Sequence, residues 1–240
     1  RITRKFGSKN ERIDALRKLA SLQAEIEEPE KALKTYARIF ELLEPLKHEI
    51  MARVRVNRIK VLVRKYEDGH PSIGQEIKLV RAHLQEISSP IIEQTLVIEA
   101  AASLLRLNDV VPFRVLISEL LNSGLASARL SEVGVNTSLI YGYLGKLSEK
   151  MGEMQAALEL SRRAMRALAQ IEQSGIMYLW QWQIGRIKHR LGHIDAAITN
   201  YERALSSIAV VRSELLLGGV SVFRDRVLPV YLEFIGILLK

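Results

Sequence analysis

The chain has no cysteine among its 240 residues. A disulfide framework, a thiolate nucleophile and a cysteine-ligated metal are therefore all excluded within it. Aromatic residues make up only 6% and proline only 6 positions, too few aromatics for an extended stacking platform and too few prolines for a loop-dominated fold. No run approaches the ~18 consecutive apolar residues that a membrane-spanning helix needs. The opening Arg1-Ile2-Thr3-Arg4-Lys5 has no apolar stretch of the kind a secretory signal carries. Gly-x-Ser-x-Gly, the P-loop and the dinucleotide glycine fingerprint are also missing.

What is abundant is the alphabet of helices. Apolar residues reach 48%, and Ala, Leu, Ile, Glu, Lys and Arg recur throughout, all compatible with long amphipathic helices. Lys and Arg number 35 against 27 acids, a net charge of +8. That balance suits an acidic protein surface or, more loosely, a nucleic-acid backbone, and equally an evenly solvated basic surface.

A repeat lies in the C-terminal half. Gly145 is followed by Gly152, Ala157 and Ala164, and Gly185 by Gly192, Ala197 and Ala204, with identical offsets of 7, 12 and 19. The period is 40 residues, and fixed self-similarity of this length marks a helical-repeat architecture. Two antiparallel helices joined by a short turn need small residues where they cross. Gly145 and Gly185 are thus expected to face Ala157 and Ala197, with Gly152 and Gly192 closing the first helix in a left-handed turn. Ala164 and Ala204 would admit the next hairpin. The register extends backwards through Ala20 with Ala32, through Val61 and through Ala102, at spacings of 41, 41, 43 and 40. Five hairpins follow.

Two segments strain this reading. Arg53–Tyr66 alternates like a strand, but a lone strand in a helical stack would leave its backbone groups unpaired, so a helix buried on two sides is expected. Pro112 suits the opening turn of a second helix, and 121–136, with its glycines and serines, reads as a longer connection.

The Gly-x6-Gly-x4-Ala-x6-Ala pattern resembles the tetratricopeptide repeat (TPR) family, with helices lengthened beyond its ~34-residue period. Tyr178–Arg186 (YLWQWQIGR), Tyr201–Leu205, and the block Phe223-Arg224 with Pro229 and Tyr231 are similar to the TPR segment that precedes CHAT caspase-like peptidase domains in bacterial, especially cyanobacterial, proteins. Leu228 stands where that pattern has a carboxylate. The resemblance implies an all-α, right-handed α-solenoid of about five TPR-like hairpins plus a C-terminal helix. It divides into hairpins over 1–134, two clear ones over 135–216, and a helix over 217–240 leading toward a peptidase domain. The chain itself is then expected to be no enzyme, to need no cofactor or metal, and to reside in the cytoplasm. His189 and His193 share the i, i+4 spacing of a metal pair, but Gly192 breaks the helix between them; His48, His70 and His83 show no partners in the sequence.

The first helix of each hairpin should line a groove. Its expected residues are Arg17 with Ser21, Arg58 with Leu62 and Lys65, Glu99 with Ser103 and Arg106, Lys146 with Glu149 and Lys150, and Trp182 with Arg186, His189 and Arg190. Trp180 is expected in the core. Cations dominate, so the groove would favour an acidic peptide or a chain-end carboxylate of a protein partner. The alternatives are a merely solvated face, or nucleic acid held by its backbone.

Overall fold

The computed structural model describes residues 8–43, 47–128, 134–169, 171, 175–210 and 227–239. Eleven α-helices and one 3₁₀ turn account for the regular structure among them. They are α1 (Lys9–Glu25), α2 (Pro29–Leu42), α3 (His48–Lys65), α4 (Pro71–Leu84), α5 (Pro90–Leu104), α6 (Arg114–Ala128), α7 (Gly134–Lys150), α8 (Met154–Ala167), α9 (Met177–Arg190), α10 (Ile194–Val210) and α11 (Leu228–Leu238). Helices pack pairwise as α1·α2, α3·α4, α5·α6, α7·α8 and α9·α10. The five expected hairpins are present.

Local chemistry explains where the helices begin. Ser8 caps α1 in a capping box: its hydroxyl accepts from the Glu11 amide at 3.5 Å, while the Glu11 carboxylate accepts from the Ser8 amide at 2.8 Å. Pro29, Pro71 and Pro90 each open a helix, Pro229 is the second residue of α11, and Pro112 sits in the 3₁₀ turn Val111–Phe113 that leads into α6. Proline there forfeits no helical hydrogen bond. His70 caps α4 by accepting from the Ser72 amide at 3.2 Å, and stacks on Tyr66 at 4.4 Å. At the far ends of α7 and α9, Gly152 and Gly192 adopt φ of 78° and 79° as expected. The equivalent position after α1 carries Glu27, at φ 61°.

The buried positions give the repeat in full. Twelve residues after the anchor stand Ala32, Ile73, Phe113, Ala157 and Ala197; at nineteen stand Ile39, Val80, Leu120, Ala164 and Ala204. A third position, at sixteen, holds Tyr36, Ile77, Ile117, Ser161 and Tyr201. All are buried. This register passes through Ala101, which has no exposure, whereas Ala102 is half-buried. The third anchor is thus one residue earlier than the sequence spacing placed it.

α3 is a helix, with Ala52, Val54, Val56, Ile59, Val61, Leu62 and Val63 buried, because it packs against α4 on one side and α5 and α2 on others. Burial all round erases the amphipathic period and leaves the strand-like alternation of its sequence. α6 continues to Ala128, burying Ile117, Leu120, Leu121, Gly124 and Ser127. The connection expected from residue 121 therefore starts later: the helical stripe outweighs the glycine and serines.

The chain forms two compact units, Arg1–Glu132 and Val133–Lys240. In the second, the anchors act differently from one another. A Cβ on Gly145 would meet the Ala157 carbonyl oxygen at 3.2 Å and Ser161 Oγ at 3.1 Å, so this glycine does face the second helix at Ala157. A Cβ on Gly185 would strike the Tyr201 ring at 2.7 Å. That glycine makes room for Tyr201 instead of for Ala197. Gly142 is tighter still: a Cβ would come within 2.1 Å of the Trp180 ring, which is 2% exposed and donates to Ser138 Oγ at 2.8 Å. Trp180 is core, as expected.

Candidate partner-binding surfaces

In the first unit, the expected groove cations are largely tied to acids of this same unit. Arg58 pairs with Glu76 at 3.2 Å and Arg55 with the other oxygen at 3.0 Å, both guanidiniums lying over the Phe40 ring at 5.4 and 4.5 Å. Glu76 is buried, so this carboxylate is held between two arginines on an aromatic floor. Lys65 pairs with Glu30 of α2 at 2.8 Å, which raises the ammonium pKa and lowers that of the carboxylate, chiefly through their hydrogen bond. Lys60 reaches Glu99 at 2.6 Å, and Ser103 donates to the Glu99 carbonyl. Leu62 is buried and does not line a surface. Arg106 is exposed, two residues beyond the end of α5.

Arg17 stands at the rim of a hollow. It pairs with Asp14 at 3.3 Å along α1, and both border a hollow of about 440 Å³ with Lys18, Ser21, Glu25 and Asn57. Asn57 belongs to α3, so the hollow lies between consecutive first helices, as the repeat geometry requires. Its rim mixes both charge signs.

The second unit is centred on Glu149, which is 5% exposed. Arg186 grips it through two hydrogen bonds of 3.0 Å each, and Arg190 approaches the same carboxylate at 3.5 Å. The Arg186 guanidinium also stacks on Trp182 at 4.5 Å. Burial works against its charge, yet the Glu149 hydrogen bonds and charge more than offset this, and its pKa is raised. Arg186, an expected groove cation, is therefore held as an internal clamp on Glu149. Trp182, the expected groove aromatic, is half-buried, and its indole donates to Glu233 of α11 at 2.6 Å. The same oxygen accepts from the Tyr201 hydroxyl at 2.8 Å. Burial first, and Glu233 next, push the Tyr201 pKa far upward.

What remains accessible in this unit is a basic fringe. Lys150 and Arg190 are exposed, while Lys146 and His189 are half-buried. Of the C-terminal block, Pro229 starts α11 and Tyr231 is 39% exposed; Phe223 and Arg224 lie outside the described residues. Among the described residues no group of three or more His, Asp and Glu is placed to hold a metal, and no helix is long and apolar enough to cross a membrane. His48 and His83 have found each other, with ring nitrogens 3.3 Å apart between α3 and α4.

The carboxylates of second helices were the part the groove pattern could not supply. Glu30 and Glu76 sit on second helices, away from the cations they bind, and Glu99 and Glu149 were the two acids among the expected groove residues. A signal did exist for Glu149: it precedes Arg186 by 37 residues, one repeat less one helical turn.

No family model matches the chain, and no curated protein matches it. Among solved structures, 22 chains match. One is the MamA RS-1 ArsTM double mutant, with a TM-score of 0.52, at 13% identity over 87% of this chain and 97% of that one. MamA is a TPR-like helical-repeat protein. The likeness is one of fold. This chain is all-α, built of pairwise packed TPR-like hairpins.

Proposed function

We propose that the chain is a non-catalytic, protein-binding helical-repeat module that holds a partner segment on its first-helix faces. The observation that carries this reading is the open hollow between α1 and α3, rimmed by Asp14, Arg17, Lys18 and Glu25 with the neutral donors Ser21 and Asn57. Such a rim can pair with both ends of an extended peptide's polar groups. In the second unit the exposed Lys150 and Arg190 favour an acidic partner. Fluorescence polarisation against acidic and basic peptide pools tests both points. Acidic peptides should be retained, and Lys150→Glu with Arg190→Glu should weaken them about tenfold or more. Unchanged retention would refute the basic-fringe assignment, and no retention by any pool would refute the module.

The finer reading is that this module serves a CHAT-type, caspase-like protease of bacterial, cyanobacterial type. It would recognise a substrate or partner, or restrain the enzyme by contact with a downstream peptidase domain in the cytoplasm. Its support is the Tyr178–Arg186 block and the Phe223, Arg224, Pro229 and Tyr231 block. The coding sequence beyond Lys240 decides it: a His/Cys peptidase dyad is expected there, and its absence ends the reading. A second reading, nucleic-acid binding, rests on the net charge of +8. It requires RNA binding whose affinity falls steeply with salt.

A further inference from the structure

The five histidines share no pattern in the sequence, yet the fold brings two of them into contact. His48 opens α3, and His83 stands in the last turn of α4. The α3–α4 hairpin turns at 66–70, so both rings lie at its open end, 35 residues apart in the chain. Both are half-buried. Each turns the same atom toward the other: Nδ1 faces Nδ1 at 3.3 Å, with ring centroids 5.5 Å apart and planes 58° from each other.

Two arrangements place ring nitrogens face to face. One imidazole can donate its N–H to the other, but 3.3 Å is longer than the ~2.7–3.2 Å of an ordinary hydrogen bond from nitrogen. In the other, both nitrogens keep their lone pairs and share a third atom. An ion bound to imidazole at ~2.0–2.1 Å in tetrahedral geometry sets two nitrogen ligands about 3.3 Å apart. The fold supplies that separation. A small pivot of each ring makes the lone pairs converge, and half-buried side chains at a hairpin's open end have that freedom.

The surroundings select the ion. A ligating histidine must be neutral, and burial first, then Arg55 and His48, lower the His83 pKa. Arg55 shares Glu76 with Arg58, at 3.0 and 3.2 Å, so some positive charge persists beside the pair. That charge disfavours hard cations held by electrostatics alone. It disfavours less an ion that bonds strongly to imidazole nitrogen.

We propose that His48 and His83 form a two-histidine site for a divalent transition-metal ion of the zinc type, with water completing its coordination. The ion clips the open end of the α3–α4 hairpin and closes the 35-residue span between its ligands. A ligand held only by the folded chain stabilises that chain, so metal tightens the first unit where the helices would otherwise fray.

The untagged whole chain is titrated with zinc chloride, and with cobalt(II) as a coloured reporter of coordination. One equivalent should bind, with zinc displacing cobalt. His48→Gln and His83→Gln should each raise the half-saturating concentration about tenfold or more, while His189→Gln with His193→Gln should change nothing. In the unaltered chain, labelled in its histidine ring nitrogens, zinc should shift the Nδ1 resonances of His48 and His83. That reading holds whether or not a variant folds. Zinc should also slow amide exchange in α3 and α4. Absence of saturable binding overturns the proposal, as does binding indifferent to either single substitution. Binding lost with the His189 and His193 pair, or zinc shifts confined to the other three histidines, places the ion elsewhere and overturns it too. So does equal occupancy by magnesium, which takes oxygen ligands.

Discussion

One substitution, glycine to alanine, should change the stability of the second unit in opposite directions according to what stands over the glycine. In a helix interior alanine is favoured over glycine by about 1 kcal/mol. At Gly236 of α11 a new methyl meets nothing within 4 Å, so Gly236→Ala should stabilise by about 0.5–1 kcal/mol, discounted because it lies in the last turn. At Gly142 the methyl would fall 2.1 Å from two carbons of the Trp180 ring, which must then retreat by more than 1 Å. The ring cannot swing into solvent: it is 2% exposed, bonded to Ser138 and edge-on to Tyr143. Overpacking of this kind costs about 1–3 kcal/mol, and losing the indole hydrogen bond adds about 1–2 kcal/mol. After the propensity gain, Gly142→Ala should destabilise by about 1–4 kcal/mol. Both tryptophans, Trp180 and Trp182, belong to this unit, so selectively excited tryptophan fluorescence during urea unfolding reports it alone. A neutral or stabilised Gly142→Ala would refute the claim that close approach of α9 dictates this glycine.

Three other outcomes are expected. Glu27→Gly should raise the stability of the first unit by up to about 1 kcal/mol, since the φ of 61° strains a side-chain-bearing residue and the extra freedom of glycine in the unfolded chain offsets only part of that; hydrogen exchange of α1 and α2 reads it. Glu149→Gln should cost about 3 kcal/mol by tryptophan-monitored unfolding, because it strands the largely enclosed Arg186, while Glu149→Leu combined with Arg186→Leu should cost less. The His83 pKa is lowered by burial first, then by Arg55 and His48. A base so depressed contributes stability above the ordinary histidine range and loses it as pH falls through the folded value. Exchange protection of α3 and α4 should therefore decline as pH drops from about 7 to 5, and His83→Gln should flatten the slope.

The architecture was legible where the small residues are unambiguous. Gly145, Gly152, Gly185 and Gly192 set the register of two hairpins from spacing alone, since a helix crossing or a left-handed turn admits little else. The third hairpin was read one residue late because Ala100, Ala101 and Ala102 are equally small; the buried position sixteen residues on, where Ile117 answers to Tyr36 and Tyr201, resolves it. The surfaces were less legible for an electrostatic reason. Spacing shows which side chains share a helix face, but Arg58, Lys65 and Arg186 are neutralised by Glu76, Glu30 and Glu149 from other helices. A pattern confined to first helices overstates the free positive charge.

Gln183 of α9 and Glu233 of α11 give the second unit a directionality. At the packing of α9 on α7 and α8 the central side chain donates hydrogen bonds, to Ser161 and to the Gly142 carbonyl; at the packing of α11 on α9 and α10 it accepts them, from Tyr201 and Trp182. Moving α11 onto α8 would bring a carboxylate against the Gly142 carbonyl, acceptor against acceptor. Hairpins that look interchangeable by shape are therefore addressed by donor–acceptor polarity, and a chain with its repeats shuffled should stack in the original neighbour order or not at all.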